Sequence, residues 1–137
     1  MPKKVVWDSS YSVGQSLLDH QHRKLMALCN DLGDCLATDG PASDALFHEI
    51  LNELAAYARQ HFATEEELVR RHAPSHLATQ VAEHEAYFAR ITDLLFDASG
   101  GTLDKVGLQR FLAGWWSGHI LVSDLQLRDD FLKLANA

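Results

Sequence analysis

Apolar residues recur along most of this chain at steps of three and four, the spacing that lines one face of an α-helix. From about residue 17 to 38 the row is Leu18, His22, Leu25, Cys29, Leu32 and Leu36. From about 42 to 71 it is Phe47, Ile50, Leu54, Tyr57, His61, Glu65 and Leu68. A third row, from about 75 to 98, is Leu77, Gln80, His84, Tyr87, Ile91 and Leu94. The fourth, from about 102 to 134, is Leu108, Leu112, Trp115, His119 and Val122. β-Branched residues are few and strict alternation is absent, so strands are not expected. Turn-forming residues at Asp39-Gly40-Pro41, Ala73-Pro74-Ser75 and Ser99-Gly100-Gly101-Thr102 separate the four segments. Ser43 is the candidate N-cap of the second helix, and Ser99 or Thr102 of the fourth. Four helices with short connections predict an all-α, up-down-up-down antiparallel four-helix bundle. Residues 1–16 precede it as an extended arm, with Trp7 and Tyr11 as the side chains to anchor it.

The length of 137 residues suits one domain, 1–137, and an apolar share of 47% is enough for a single core. The net charge of −7 comes without a basic run, so neither nucleic acid nor an anionic membrane surface is an expected partner. The opening MPKKVVWDSSYS has no apolar signal region, and no stretch reaches the roughly 18 apolar residues of a membrane span. A soluble, cytoplasmic protein is the expectation, and a monomer is compatible with it. Cys29 and Cys35 point about 120° apart on a helix, which suits neither a disulfide framework nor a thiolate zinc site. Both are read as reduced packing residues.

Histidine changes the picture. Of the eight in the chain, His22, His61, His84 and His119 fall one on each apolar row. Glu65 follows His61 by four residues, on the same helix face and about 6 Å further along the axis. Asp124 follows His119 by five and is turned from it by about 140°, so it must reach round to the same centre. A buried carboxylate is costly unless it is paired or bound to metal. A shared metal centre accounts for all six groups; the alternative is a buried polar network that satisfies each of them without an ion. Imidazole and carboxylate without thiolate favour iron, manganese or zinc, and two carboxylates can bridge two ions inside a helical bundle. His48, His72 and His20 fall off the rows and read as surface residues. His76 lies about 12 Å along the axis from His84, too far to share its ion.

These residues resemble the hemerythrin family, and in particular its bacterial members, over nearly the whole chain. The resemblance starts with Trp7 and SVGQSLLDHQHRKL and continues through HFATEEEL, with His61 and Glu65 as H-x-x-x-E. HEAYF follows, with His84, and then WWSGHILVSD, with His119 and Asp124 as H-x-x-x-x-D. It implies a non-haem di-iron centre with an oxo or hydroxo bridge. His22 and His61 would hold one iron, His84 and His119 the other, and Glu65 and Asp124 would bridge them. It also implies dioxygen as the ligand, bound in an apolar pocket at the iron that His22 and His61 would hold.

The chain departs from the family pattern twice. Where the third helix of the family carries H-x-x-x-H, Gln80 stands four residues before His84, either as a weak amide ligand or beside a position left to water. A register shift would bring in His76, but the pattern after His84 opposes it. Trp116 stands where the family often has a leucine that lines the oxygen pocket. It either narrows the pocket or turns away and only packs. The first reading is an oxygen-binding protein, for transport, storage or sensing of dioxygen or another small diatomic or anionic ligand. The alternatives are a di-iron enzyme acting on peroxide, dioxygen or nitric oxide, and a sensing interaction domain.

Overall fold

The computed structural model describes residues 4–98 and 103–135. Helix α1 spans Ser16–Asp34 and ends in a 3-10 turn over Cys35–Ala37; α2 spans Pro41–His72. A 3-10 turn at Pro74–His76 leads into α3, Leu77–Ala98, and α4 spans Lys105–Gly118. The chain then continues through a π-helical turn, His119–Ser123, and a 3-10 turn, Asp124–Leu127, into α5, Arg128–Ala135. The fourth predicted helix is therefore interrupted. Among the described residues there is no strand, and no helix is long and apolar enough to cross a membrane. The all-α helical bundle is as expected.

The helix direction can be read from two apolar clusters. One contains Leu25, Ala58, Tyr87 and Trp116; the other contains Leu18, Val69, Leu127 and Phe131, with Leu77 packed against it. Along α1 the chain passes from the second cluster to the first, along α2 from first to second, along α3 back again. From α4 into α5 it returns from first to second. Between the clusters α1, α2, α3 and the turns that join α4 to α5 carry polar inward residues, so the polar layer sits between two greasy ones. This is the up-down-up-down order, with α1 packed on α2 and α4, and α2 on α3.

The helix starts differ from expectation. Gly40, at φ +114, caps α2 in a conformation that suits glycine, and Pro41 takes the first helical position. Ser43 is not the cap: its hydroxyl lies 2.7 Å from the Cys35 carbonyl and 2.9 Å from that of Thr38, tying α2 back to the end of α1. Ser99 and Thr102 lie outside the described residues. The cap of α4 is Asp104, whose carboxylate accepts the Gly107 N–H at 2.9 Å.

The inward rows also shift in detail. Ile50, Tyr57 and Leu36 are only half-buried, while Leu51, Ala58, Phe62, Met26 and Val69 are buried, so the apolar stripe is wider than one residue. Val122 is 62% exposed, against expectation. The π turn adds a residue to its coil, so beyond it Asp124, Leu127 and Phe131 face inward instead. His72, expected at the surface, closes α2 and is half-buried.

The arm is docked. Asn30 on α1 pairs with both backbone groups of Val5, accepting its N–H at 2.8 Å and donating to its carbonyl at 2.6 Å. Trp7 meets Tyr11 edge-on at 5.8 Å and lies under the Arg23 guanidinium at 4.9 Å. Asp19 accepts the Val13 N–H at 2.9 Å, and Val13 is fully buried. Cys29 and Cys35 are free thiols, the first buried.

Candidate metal centre

His22, His61, Glu65, Gln80, His84, His119 and Asp124 are all buried, and the structure brings all seven together in the polar layer. Six arrive by the rows that predicted them, and Asp124 does not. The π turn delivers that residue: the Asp124 N–H bonds to the His119 carbonyl, and the wider coil carries a residue five positions on round to the same side. The 140° that separated them on a regular helix is removed by local backbone geometry.

The two carboxylates divide the centre. One oxygen of Glu65, Oε1, lies 3.0 Å from His84 Nε2 and 3.0 Å from His119 Nε2. The other, Oε2, lies 3.4 Å from His22 Nε2 and 3.3 Å from His61 Nε2. Asp124 splits in the same way, with Oδ2 3.1 Å from His22 Nε2 and Oδ1 3.1 Å from His119 Nε2. Two overlapping ligand groups result. His22, His61, Glu65 and Asp124 form one; Glu65, His84 and His119 form the other, and within each the candidate atoms lie within 4.8 Å of one another.

The outer nitrogens of three imidazoles are tied down. His61 Nδ1 donates to the Gln21 amide oxygen at 2.7 Å, His84 Nδ1 to Glu66 at 2.7 Å, and His119 Nδ1 to Glu83 at 3.2 Å. Glu83 also accepts from the Ser123 hydroxyl at 2.6 Å. With the proton on Nδ1, each Nε2 presents a lone pair inward. His84 Nε2 and His119 Nε2 then face one another at 3.2 Å with Glu65 Oε1 beside both, three acceptors with no donor. His61 Nε2 and Gln80 Oε1 are buried without a hydrogen-bond partner. Buried polar groups are normally satisfied. A set of converging, unsatisfied nitrogen and oxygen acceptors is what a cation requires, so the residues present fit a metal pair.

Without a metal, protons take part of that role. Burial alone would pull His22 down, but hydrogen bonds to Asp124 and Glu65 and their charges outweigh it and hold the ring up at about 9. His119 is likewise held up at about 9, against burial, by the charges of Asp124 and Glu65 and by its hydrogen bonds to Glu65 and Glu83. For His61 burial wins and the ring is pushed down. Glu65 is held well below the carboxylate range because the surrounding imidazoles outweigh its burial, whereas burial and the nearby Glu65 charge push Asp124 up.

The two departures lie in the centre. Gln80 is buried and its Nε2 donates to Asp124 Oδ1 at 3.0 Å. Trp116 does not turn away. It is fully buried, stacks on Phe62 with ring centroids 5.2 Å apart, and stands 5.8 Å from the His61 ring. Trp115 stacks on His119 at 4.7 Å, and Phe62 on His84 at 3.8 Å, fixing both imidazole planes. His76 stays outside the centre, in the turn before α3, 3.8 Å from Asp130. Gln21, Glu66, Glu83 and Ser123 escaped the sequence reading. The first three carry a usable signal, since each adjoins a row residue, namely His22, Glu65 or His84.

The family model of the Hemerythrin HHE cation binding domain matches residues 13–127, which takes in all seven candidate ligands. The chain belongs to the hemerythrin family. It is similar to a bacteriohemerythrin of Stenotrophomonas maltophilia, 28% identical over 127 residues that cover 91% of this chain and 80% of the relative. A hemerythrin-like protein of Naegleria gruberi is 31% identical over 129 residues, covering 93% and 94%. A bacteriohemerythrin of Clostridium acetobutylicum is 26% identical over 128 residues, covering 90% and 98%. No solved structure matches the chain. Hemerythrin membership implies non-haem di-iron binding and oxygen binding, and the buried histidine, glutamate and aspartate groups are of the type such a centre needs.

Proposed function

We propose that this hemerythrin domain holds two iron ions, one between His22 and His61 and the other between His84 and His119, with Glu65 and Asp124 shared. The observation that carries the reading is the division of both carboxylates, one oxygen to each histidine pair. Gln80 occupies the place of the seventh ligand as an amide held to Asp124. The centre binds dioxygen or a similar small ligand in the cytoplasm, as a carrier, store or sensor within one domain. The iron pair supplies redox chemistry when bound. The protein's own residues hold the imidazoles in one tautomer through Gln21, Glu66 and Glu83, and exclude water with Phe62, Trp115 and Trp116.

A second reading, an enzyme that reduces peroxide, dioxygen or nitric oxide, is favoured by Gln80, because an amide is a weaker donor than imidazole and leaves a more open ion. Ultraviolet-visible spectra of iron-loaded protein, taken without air and then with it, separate the two. A stable, reversible oxygenated spectrum supports binding. Direct conversion to the ferric spectrum, with turnover of added peroxide, supports the enzyme.

A further inference from the structure

The two sides of the centre differ in what surrounds them. Rings pack on both sides, with Phe62 stacked on the face of His84 at 3.8 Å and Trp115 on that of His119 at 4.7 Å; on the His61 side the ring is a fully buried indole. The indole of Trp116 is fully buried, 5.8 Å from His61 and 5.2 Å from Phe62, and Tyr87 packs behind it at 5.3 Å. Trp116 stands somewhat further, 6.4 Å, from the His119 ring. A ligand entering on the His61 side would have to displace a buried tryptophan from a close-packed aromatic cluster, and such cores have no slack volume to give.

The opposite side lacks the third imidazole of the family pattern and holds a buried amide in its place. The Gln80 side chain is only 2% exposed, and its Nε2 is engaged by Asp124 Oδ1, the oxygen that also lies 3.1 Å from His119. Its Oε1 has no partner in the protein. An amide turned this way offers a free acceptor toward whatever stands beside the shared carboxylate, a water or a small protonated ligand. The imidazoles there are also the two backed by carboxylates, Glu66 and Glu83, whereas His61 is backed by the neutral Gln21 and His22 Nδ1 by nothing. Carboxylate partners raise imidazole basicity, so the side that lacks the family's third imidazole has the stronger donors.

We propose that small exogenous ligands bind this chain on the Gln80 side, beside His84 and His119, and that Trp116 closes the His22–His61 side. The assignment rests on the di-iron reading above and reverses the side that the family resemblance implies.

The test uses the iron-loaded, oxidised protein, with iron counted per chain, titrated with azide and followed by the azide-to-iron absorption band. The wild type and Gln80→Ala should both bind azide. Gln80→His, which fills the position with an imidazole, should weaken azide at least tenfold. Adding Trp116→Leu to Gln80→His should restore binding on the other side. Thermal melts check that each variant is folded, and a crystal structure of the wild-type azide complex places the anion independently of any variant. Azide beside Gln80 supports the assignment, and azide beside His22 and His61 overturns it. Two irons per chain with azide affinity indifferent to residue 80 would overturn this assignment alone. A wild-type count of one iron would overturn the di-iron reading with it.

Discussion

Glu83 precedes His84 in the sequence, yet its carboxylate accepts the Nδ1 proton of His119, on the neighbouring segment, at 3.2 Å. The same displacement recurs around the bundle. Gln21, next to His22 on α1, serves His61 on α2; Glu66, next to Glu65 on α2, serves His84 on α3. Each of α1, α2 and α3 thus carries inward groups and also orients the imidazole of the segment that follows. The sequence runs on to Ser123, next to Asp124, but that hydroxyl donates to Glu83 and leaves His22 Nδ1 without a partner.

Removing either carboxylate should therefore loosen the His84–His119 side. Glu83→Gln and Glu66→Gln keep the side-chain shape and remove the charge. Each should weaken retention of one iron per chain by about 10- to 100-fold, the usual cost of losing an outer partner. Competition with a chelator measures it. Unchanged retention in both variants would mean that the imidazoles are oriented by packing alone, through Phe62 and Trp115.

The arm makes a separate prediction. Asn30→Ala leaves the Val5 N–H and carbonyl without their side-chain partner, at a cost of about 1–3 kcal/mol for part-buried backbone groups. The melting temperature should fall by several degrees. Deleting residues 1–12 should lower it further, because Val5 is lost from the core together with Trp7 and Tyr11, which pack against it. An unchanged melting curve for the deletion would mean that the arm contributes nothing to the bundle.

The metal-free protein should respond to pH in a particular direction. His22 and His119 are held up at about 9 from an ordinary 6.5, so the folded state favours their protonated forms. Their contribution to stability is complete below pH 6.5 and is lost as the pH rises toward 9. Glu65 acts oppositely: its lowered value adds stability above its ordinary 4.5, lost as the pH falls. Melting temperatures of the metal-free protein should drop between pH 6.5 and 9. The metal-loaded protein should stay nearly level over that range, because an ion replaces the protons. Parallel curves for the two forms would contradict this.

Much of this architecture was legible from the rows alone, since helix periodicity carries His22, His61, Glu65, His84 and His119 onto inward faces without any tertiary information. Asp124 was legible as chemistry but not as geometry. A spacing of five fits no regular α-helix, and only a π turn makes it work. That turn also explains why Val122 was misplaced, because periodicity cannot register an added residue. The helix caps failed where glycine and aspartate competed with serine and threonine: Gly40 and Asp104 took the positions read as Ser43 and Ser99 or Thr102. Gln21, Glu66 and Glu83 went unread because their partners lie on other helices, and adjacency to a row residue was the one signal they carried.

The most direct test of the di-iron account is elemental analysis of protein reconstituted anaerobically with iron(II) and freed of loosely held metal. Two overlapping ligand groups that share Glu65 predict close to two irons per chain, in spite of Gln80. A value at or below about one, with the helical fold intact, would mean that the amide at residue 80 cannot sustain the second ion, and would contradict the account.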